Sequence, residues 1–265
     1  MRIGIIGCGN MGEAIIKRQK ARIKEQNLLA SETRKERRDY IRRCYRIPVL
    51  KDNLELVRSS NLVILAVKPQ DVRGVLEKIA RSPDSTAHFP LFISIAAGIS
   101  THFVEGILKK ARVIRVMPNM NALIGKGISA LCKGRYAQAR DMENAKRIFR
   151  GLGEVIEVQE KDLNAITALS GSGPAYFFYF TEQLIEAGVR LGLKREIAKS
   201  LVIHTGLGAF EMLVQGGDAR ELRERVTSKG GTTESALKIF SKRGIDRIII
   251  EAIECAANRA KELEE

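Results

Sequence analysis

The stretch RIGIIGCGNMGEAIIKRQKARIK, residues 2–24, changes its periodicity at the glycines. RIGII is a short apolar run of the kind that forms a buried strand, and EAIIKRQKARIK carries its apolar residues at helical spacing. Between them residues 7–12 read GCGNMG, a G-x-G-x-x-G. A strand that passes through such glycines into a helix forms the phosphate-binding turn of a βαβ unit. Gly7 permits the tight turn, Gly9 lets a pyrophosphate approach the backbone, and Gly12 lets the helix pack against the strand. Free N–H groups at the helix start, and its dipole, attract the anion. Cys8, Asn10 and Met11 fill the variable positions, and Cys8 reads as a small side chain, not a reactive thiol.

Outward from this turn, short apolar runs alternate with helical patterns. The runs lie at 2–6, 27–30, 62–67, 91–95 and 112–116, with helices expected near 11–24, 33–44, 70–80 and 100–109. LVILAV, 62–67, is apolar throughout, as a strand covered on both faces should be. The rhythm predicts a Rossmann-like α/β domain with a parallel sheet and helices on both faces. Strands near 127–131 and 154–158, with a helix near 136–150, complete it. Beyond residue 158 the texture becomes helical, with patterns at 174–191, 195–215, 218–226, 233–241 and 244–263. The expected domains are therefore 1–158, α/β, and 159–265, all helical. AYFFYF at 175–180 is apolar around the whole helix circumference, which fits either a central core helix or a dimer interface.

At the end of the second strand the sequence reads LLASETRKERR, 28–38. Glu32 stands where an acidic residue accepts hydrogen bonds from an adenosine ribose, which favours NADH. Its neighbours Ser31, Thr33, Arg34 and Lys35 instead suit the 2′-phosphate of NADPH. Both cofactors stay open.

The 265 residues carry a net charge of +14, from 45 basic and 31 acidic side chains. Such an excess can draw a protein to nucleic acid or an acidic membrane. Here the basic residues are spread along helices with no interleaved aromatic motif, so an enzyme with anionic ligands is the preferred reading. Cysteines 8, 44, 132 and 255 form no CxxC and no metal spacing, so free thiols in a reducing compartment are expected, and no metal site. The N-terminal apolar run is too short and too glycine-rich for a signal peptide, and no uninterrupted apolar stretch matches a bilayer. The expected location is the cytoplasm, with no membrane partner.

Five further stretches make a set: LAVKP at 65–69, SIAAGIS at 94–100, RVMPN at 115–119, LSGSGPAY at 169–176 and TSKGGTTE at 227–234. Together with GCGNMG they closely resemble the Δ1-pyrroline-5-carboxylate reductase family, in order and over the whole chain. The pair LSGSGPAY and GGTT is its most specific part. The resemblance implies an N-terminal domain that binds NAD(P)H and a C-terminal helical domain that interlocks with a second subunit, as a homodimer or a larger homo-oligomer. It implies reduction of a cyclic imine carboxylate to L-proline. It also implies cofactor contacts at residues 7–12, Ser31, Glu32, Asn53, Ala66, Val67, Lys68, Pro69, Ala96 and Ala97. Two positions depart from the family's habit: Lys229 replaces a frequent proline, and Glu32 replaces the serine of some NADPH-preferring members.

The loop VTSKGGTTESAL, 226–237, is richer in glycine and hydroxyls than a plain helix link requires. Gly230 and Gly231 let the backbone turn its N–H groups inward, and Thr232 and Thr233 open a helix, which makes an anion site. The substrate carboxylate is the fitting anion, with Ser228 in the same loop. By analogy with the family, Thr233 orients the imine nitrogen and helps to supply its proton. Plain helix capping by threonine is the competing explanation.

Lys68 reads as a cofactor-side contact. Asn119 and Asn121 suit either the nicotinamide pocket or a turn, and Glu160 and Asp162 suit the substrate end. His88, His102 and His204 stand isolated. Rival functions are another NAD(P)H-dependent imine or hydroxyacid oxidoreductase on the same scaffold, and a non-catalytic nucleotide-sensing or RNA-binding protein. The complete substrate loop and the lack of stacking motifs argue against the last two.

Overall fold

The computed structural model describes residues 1–82 and 89–264. Among them eight strands form one sheet in the order β3-β2-β1-β4-β5-β6-β7-β8. These are β1 (Ile3–Ile6), β2 (Leu28–Ser31), β3 (Val49–Leu50), β4 (Leu62–Leu65), β5 (Leu91–Ser94), β6 (Val113–Pro118), β7 (Gly127–Lys133) and β8 (Gly153–Glu157). The helices between them are α1 (Asn10–Lys20), α2 (Lys35–Tyr45), α3 (Asn53–Arg58), α4 (Pro69–Ala80), α5 (Thr101–Ile107) and α6 (Ala139–Phe149).

Every residue of β1, β2, β4 and β5 is buried. Alternate side chains feed two separate cores. Ile3, Ile5, Leu62 and Ile64 meet Ile15 and Ile16 of α1, Ile41 of α2 and Phe149 at the end of α6. Ile6, Val63 and Leu65 meet Leu56 of α3, Val72 and Leu76 of α4 and Val104 of α5. That two-sided burial is why these strands are apolar throughout.

Two features depart from the expected sheet. The pair β3 and α3 was not anticipated, because two residues of strand carry no readable period. Asp52 starts α3 by accepting a hydrogen bond from the Leu54 N–H at 3.0 Å. The pairing of β6 with β7 is antiparallel, while the others are parallel. Only a 3₁₀ turn, Met120–Ile124, and Gly125 at φ +77° mark the link between them, too short for a crossover helix.

The chain divides into two compact units, Met1–Ser172 with the last turns of the C-terminal helix from Ala256, and Gly173–Cys255. The sequence boundary at 158 follows the last strand, and residues 159–172 pack with the sheet. They form α7 (Leu163–Ile166) and a π-helical turn, Thr167–Gly171. The second unit holds α8 (Gly173–Arg190), α9 (Arg195–Val214), α10 (Ala219–Arg225) and α11 (Thr232–Lys242), and α12 (Ile245–Glu262) begins in it.

Within the single chain α8 is not a buried core helix. Phe178 is 60% exposed and Tyr179 63% exposed, and Phe177 meets Phe210 of α9 edge-on with ring centroids 5.2 Å apart. By length and composition α9, 20 residues with an 18-residue window of mean hydropathy 1.3, is the one helix among the described residues that could match a bilayer, although charged and polar residues interrupt it. The exposed apolar residues of α8 and α9 need a cover that one chain does not supply.

Candidate active site

The sheet order reverses between β1 and β4, and a doubly wound sheet binds its ligand at that point, beyond the carboxyl ends of its strands. A cleft of about 710 Å³ opens there, lined by Gly7, Gly9, Ser31, Glu32, Asn53, Ala66, Val67 and Lys68 among others. The glycines stand as their spacing predicts. Gly7 has φ +95°, a Cβ on Gly12 would lie 2.1 Å from the Gly7 carbonyl oxygen, and a Cβ on Gly9 would meet only open space. Of the other expected positions, Cys8 is fully buried, and burial pushes its thiol up to about 12. Asn10 and Met11 open α1, and Pro69 opens α4. Ala96 and Ala97 follow β5, one buried and one exposed. None of these six is among the residues that line the cleft, nor is Gly12.

Glu32 is 7% exposed, and both its oxygens are engaged. Oε2 accepts from the Cys8 N–H at 3.2 Å, and Oε1 accepts from the Arg34 N–H at 3.0 Å and from its Nε at 3.1 Å. Burial alone would raise this carboxyl, but the hydrogen bonds from Arg34 and Cys8 outweigh it and hold the group below its ordinary range. Ser31 donates to Asn53 Oδ1 at 2.7 Å, which joins two expected contacts.

The cleft also includes Thr33, Arg34, Gln70, Asp71, Gly74, Val75 and Lys78. Asp71, Gly74, Val75 and Lys78 recur at helical spacing along α4, a face that the sequence reading passed over. The period was legible; which face of α4 meets the cleft was not, because it depends on the docking of the helix.

Among the remaining candidates, Asn119 is 7% exposed and is held in a turn. Its Oδ1 accepts from the Ile128 N–H at 3.3 Å, and its Nδ2 donates to Ser170 Oγ at 3.4 Å. Glu160 accepts from Thr101 and lies 3.2 Å from the buried Arg115, so its carboxylate serves the packing of the first unit. Asn121, Asp162 and His102 lie apart from the cleft lining, and His204 rests on the Ser200 carbonyl of α9 at 2.8 Å. His88 lies outside the described residues. No group of acidic, His and Cys side chains suited to a metal occurs among the described residues.

The hydroxyl-rich loop belongs to the second unit. Gly231 is the N-cap of α11 and no side chain caps it, so Thr232 and Thr233 occupy the first helical turn and are not capping residues. Gly230 has φ +74°, and Gly231 donates to the Ser228 carbonyl at 3.0 Å. The sequence reading missed Glu234. Its Oε2 accepts from the Gly230 N–H at 2.9 Å and pairs with Lys238 at 3.0 Å. A carboxylate of the chain itself thus already sits on one donor of the loop, and Lys238 first, then the Gly230 N–H, hold it below its ordinary range.

Comparison with known proteins bears on both units. Residues 160–263 match the model described as pyrroline-5-carboxylate reductase dimerisation, and residues 2–98 match one described as NADP oxidoreductase, coenzyme F420-dependent. The pyrroline-5-carboxylate reductase of Corynebacterium melassecola is 39% identical, covering 98% of each chain. That of Synechocystis is 37% identical over 99% of this chain and 98% of its own. The chain belongs to the pyrroline-5-carboxylate reductase family. Among solved structures, the reductase from Coxiella burnetii is 34% identical with a TM-score of 0.91, covering 100% of this chain and 98% of that one. The Plasmodium falciparum enzyme with NADP bound is 31% identical with a TM-score of 0.88, over 100% and 98%. The family's dimerisation region coincides with the helices whose apolar residues are exposed in the single chain.

Proposed function

We propose that this chain reduces 1-pyrroline-5-carboxylate to L-proline, with NADPH or NADH as the reductant. The observation that carries the reading is the glycine-loop cleft at the sheet's reversal point, in a member of this family that keeps the loop SKGGTT. The residues present fit a dinucleotide: Gly9 leaves open space where a Cβ would block a pyrophosphate, and Glu32, just past β2, and Asn53, which opens α3 beside it, line the cleft for the ribose. When bound, the reduced nicotinamide supplies the hydride for C5 of the pyrroline. The chain's own work is binding, orientation and electrostatics.

Residues 7–12, Ser31, Glu32, Asn53, Ala66–Pro69, Ala96 and Ala97 form the cofactor side. Ser228, Gly230, Gly231, Thr232 and Thr233 form the substrate side. The first N–H groups of α11 have no partner within the helix and suit the substrate carboxylate. Gly230 joins them once Glu234 releases its N–H and stays with Lys238. The Thr233 hydroxyl orients the ring nitrogen. A protonated imine is already electrophilic, so a hydroxyl suffices, with solvent as the ultimate proton source.

Arg34 and Glu32 set the cofactor ratio. The Arg34 side chain is 68% exposed and would reach a 2′-phosphate by leaving Glu32, whose released carboxylate suits the diol of NADH. Residues 159–265 act as the substrate-binding and dimerisation domain of a cytoplasmic homodimer.

The test follows the loss of NADPH, and separately NADH, with racemic pyrroline-5-carboxylate, and identifies the product. Proline formation supports the reading. A folded protein that binds cofactor but turns over no pyrroline-5-carboxylate overturns it.

A further inference from the structure

The arginine-rich helix α2 has no part in the proposed chemistry, yet one of its arginines reaches the phosphate loop. Arg37 Nε donates to the Cys8 carbonyl oxygen at 2.6 Å. Its other end pairs with Glu13 in the first turn of α1. Glu13 is itself fixed, because Tyr45 of α2 donates to its Oε1 at 2.7 Å and Tyr40 does so at 3.3 Å. The Arg37 guanidinium also lies 5.0 Å from the centre of the Tyr40 ring. The arginine is 23% exposed and the glutamate 21%, so the pair is largely shielded from solvent.

The Cys8 residue is therefore held from both sides. Glu32 accepts its N–H at 3.2 Å, and Arg37 donates to its carbonyl at 2.6 Å. A trans peptide points its N–H opposite to its C=O. Holding the Cys8 carbonyl on Arg37 thus turns the Gly9 N–H away from α2, and Gly9 lines the cleft. A glycine loop without this hold has several peptide orientations open to it, since glycine resists few of them.

We propose that Arg37, seated by Glu13, is a positioning residue for the cofactor: it fixes the Cys8–Gly9 peptide so that the loop presents its N–H groups to the pyrophosphate. The inference rests on the cofactor reading of the cleft. Preorganised donors need no rearrangement when the anion arrives, so the benefit falls on cofactor affinity and not on the hydride step.

The test compares Arg37→Gln, Arg37→Lys and Glu13→Gln with wild type. Four quantities are measured: cofactor Kd by NADPH fluorescence titration, KM for each substrate, kcat at saturation, and the Tm of the free protein. Arg37→Gln is expected to raise the Kd and KM of the cofactor about 10- to 100-fold, the loss of one charge-assisted hydrogen bond. The KM for pyrroline-5-carboxylate should stay put and kcat should stay within about twofold. Lysine reaches the carbonyl or Glu13 but not both, so Arg37→Lys should fall between. Glu13→Gln should raise the cofactor Kd in the same direction, and the double variant should be no worse than Arg37→Gln alone. If Arg37→Gln does not fold, the other two single variants decide. A lowered Tm with unchanged cofactor Kd overturns the proposal, because Arg37 would then only brace α2 on α1. A wild type that binds NADPH without reducing pyrroline-5-carboxylate defeats the proposed reaction instead, and the Kd comparison still decides Arg37.

Discussion

Thr233 sits in the first turn of α11 with its hydroxyl unused as a cap, since Gly231 takes the capping position. A threonine that stabilised the helix end would cost about 1 kcal/mol of stability when removed. One that orients the imine should instead cost rate. Thr233→Ala is therefore expected to keep the melting temperature and lower kcat about tenfold to a hundredfold, the loss of one oriented hydrogen bond in the transition state. Steady-state kinetics with saturating cofactor check it, and unchanged kcat removes Thr233 from the mechanism. At this scale Gly7 and Gly12 were readable, because one needs a positive φ and the other a close approach to the Gly7 carbonyl. The partners of Glu32 and Glu13 were not. Cys8 and Arg37 reach them across a helix–strand or helix–helix contact, and such pairs leave no local pattern in the sequence.

At the scale of elements, the C-terminal end of α12 is fastened within the first unit by charge. Glu264 accepts from Arg115 of β6 at 2.6 Å and from Asn164 of α7 at 2.8 Å. Arg115 is 3% exposed, so its charge depends on these carboxylates. Burial would raise the Glu264 carboxyl, but the hydrogen bonds from Arg115 and Asn164 and the Arg115 charge hold it below its ordinary range. A lowered folded pKa gives stability that is present above the unfolded value and lost as pH falls through the folded one. Glu264→Gln should therefore destabilise the protein by about 1–2 kcal/mol at pH 7. The gap from wild type should begin to narrow as pH falls past the ordinary glutamate value of about 4.3, and close only below the lowered folded pKa, where the side chain is neutral in both proteins. Denaturant titrations at several pH values check this, and a gap that stays constant with pH would refute the ion pair's role. The same tail packs on the loop after β5. A Cβ on Gly98, which has φ +74°, would lie 2.4 Å from the Leu263 carbonyl oxygen. The strands of this region were readable from their apolar runs. The antiparallel return of β7 was not, because direction is set by the length of the link and not by the run itself.

For the whole molecule, the decisive property is apolar surface that the single chain leaves exposed. Phe177, Phe178, Tyr179 and Phe180 of α8, and Leu201, Leu207 and Phe210 of α9, are all exposed. The pattern of AYFFYF left a core helix and an interface both open, and only the family resemblance preferred the interface: a helix buried by its own chain and one buried by a partner have the same composition. The exposure of these side chains in the folded chain removes the first option, and the family's dimerisation region covers them. A second copy is the fitting cover, since a symmetric interface buries the same patch on both subunits. Hydrophobic burial of this kind supports an obligate assembly, in which folding and association are one equilibrium. The melting temperature should therefore rise with protein concentration. Phe178→Glu should put a charge into that interface and yield monomer or aggregate by sedimentation velocity, with loss of the concentration dependence. If the wild type sediments as a stable monomer at micromolar concentration, the exposed face of α8 needs another partner and the homodimer is wrong. If Phe178→Glu remains a dimer with wild-type stability, the interface lies on other helices, and the aromatic run of α8 must be explained in some other way.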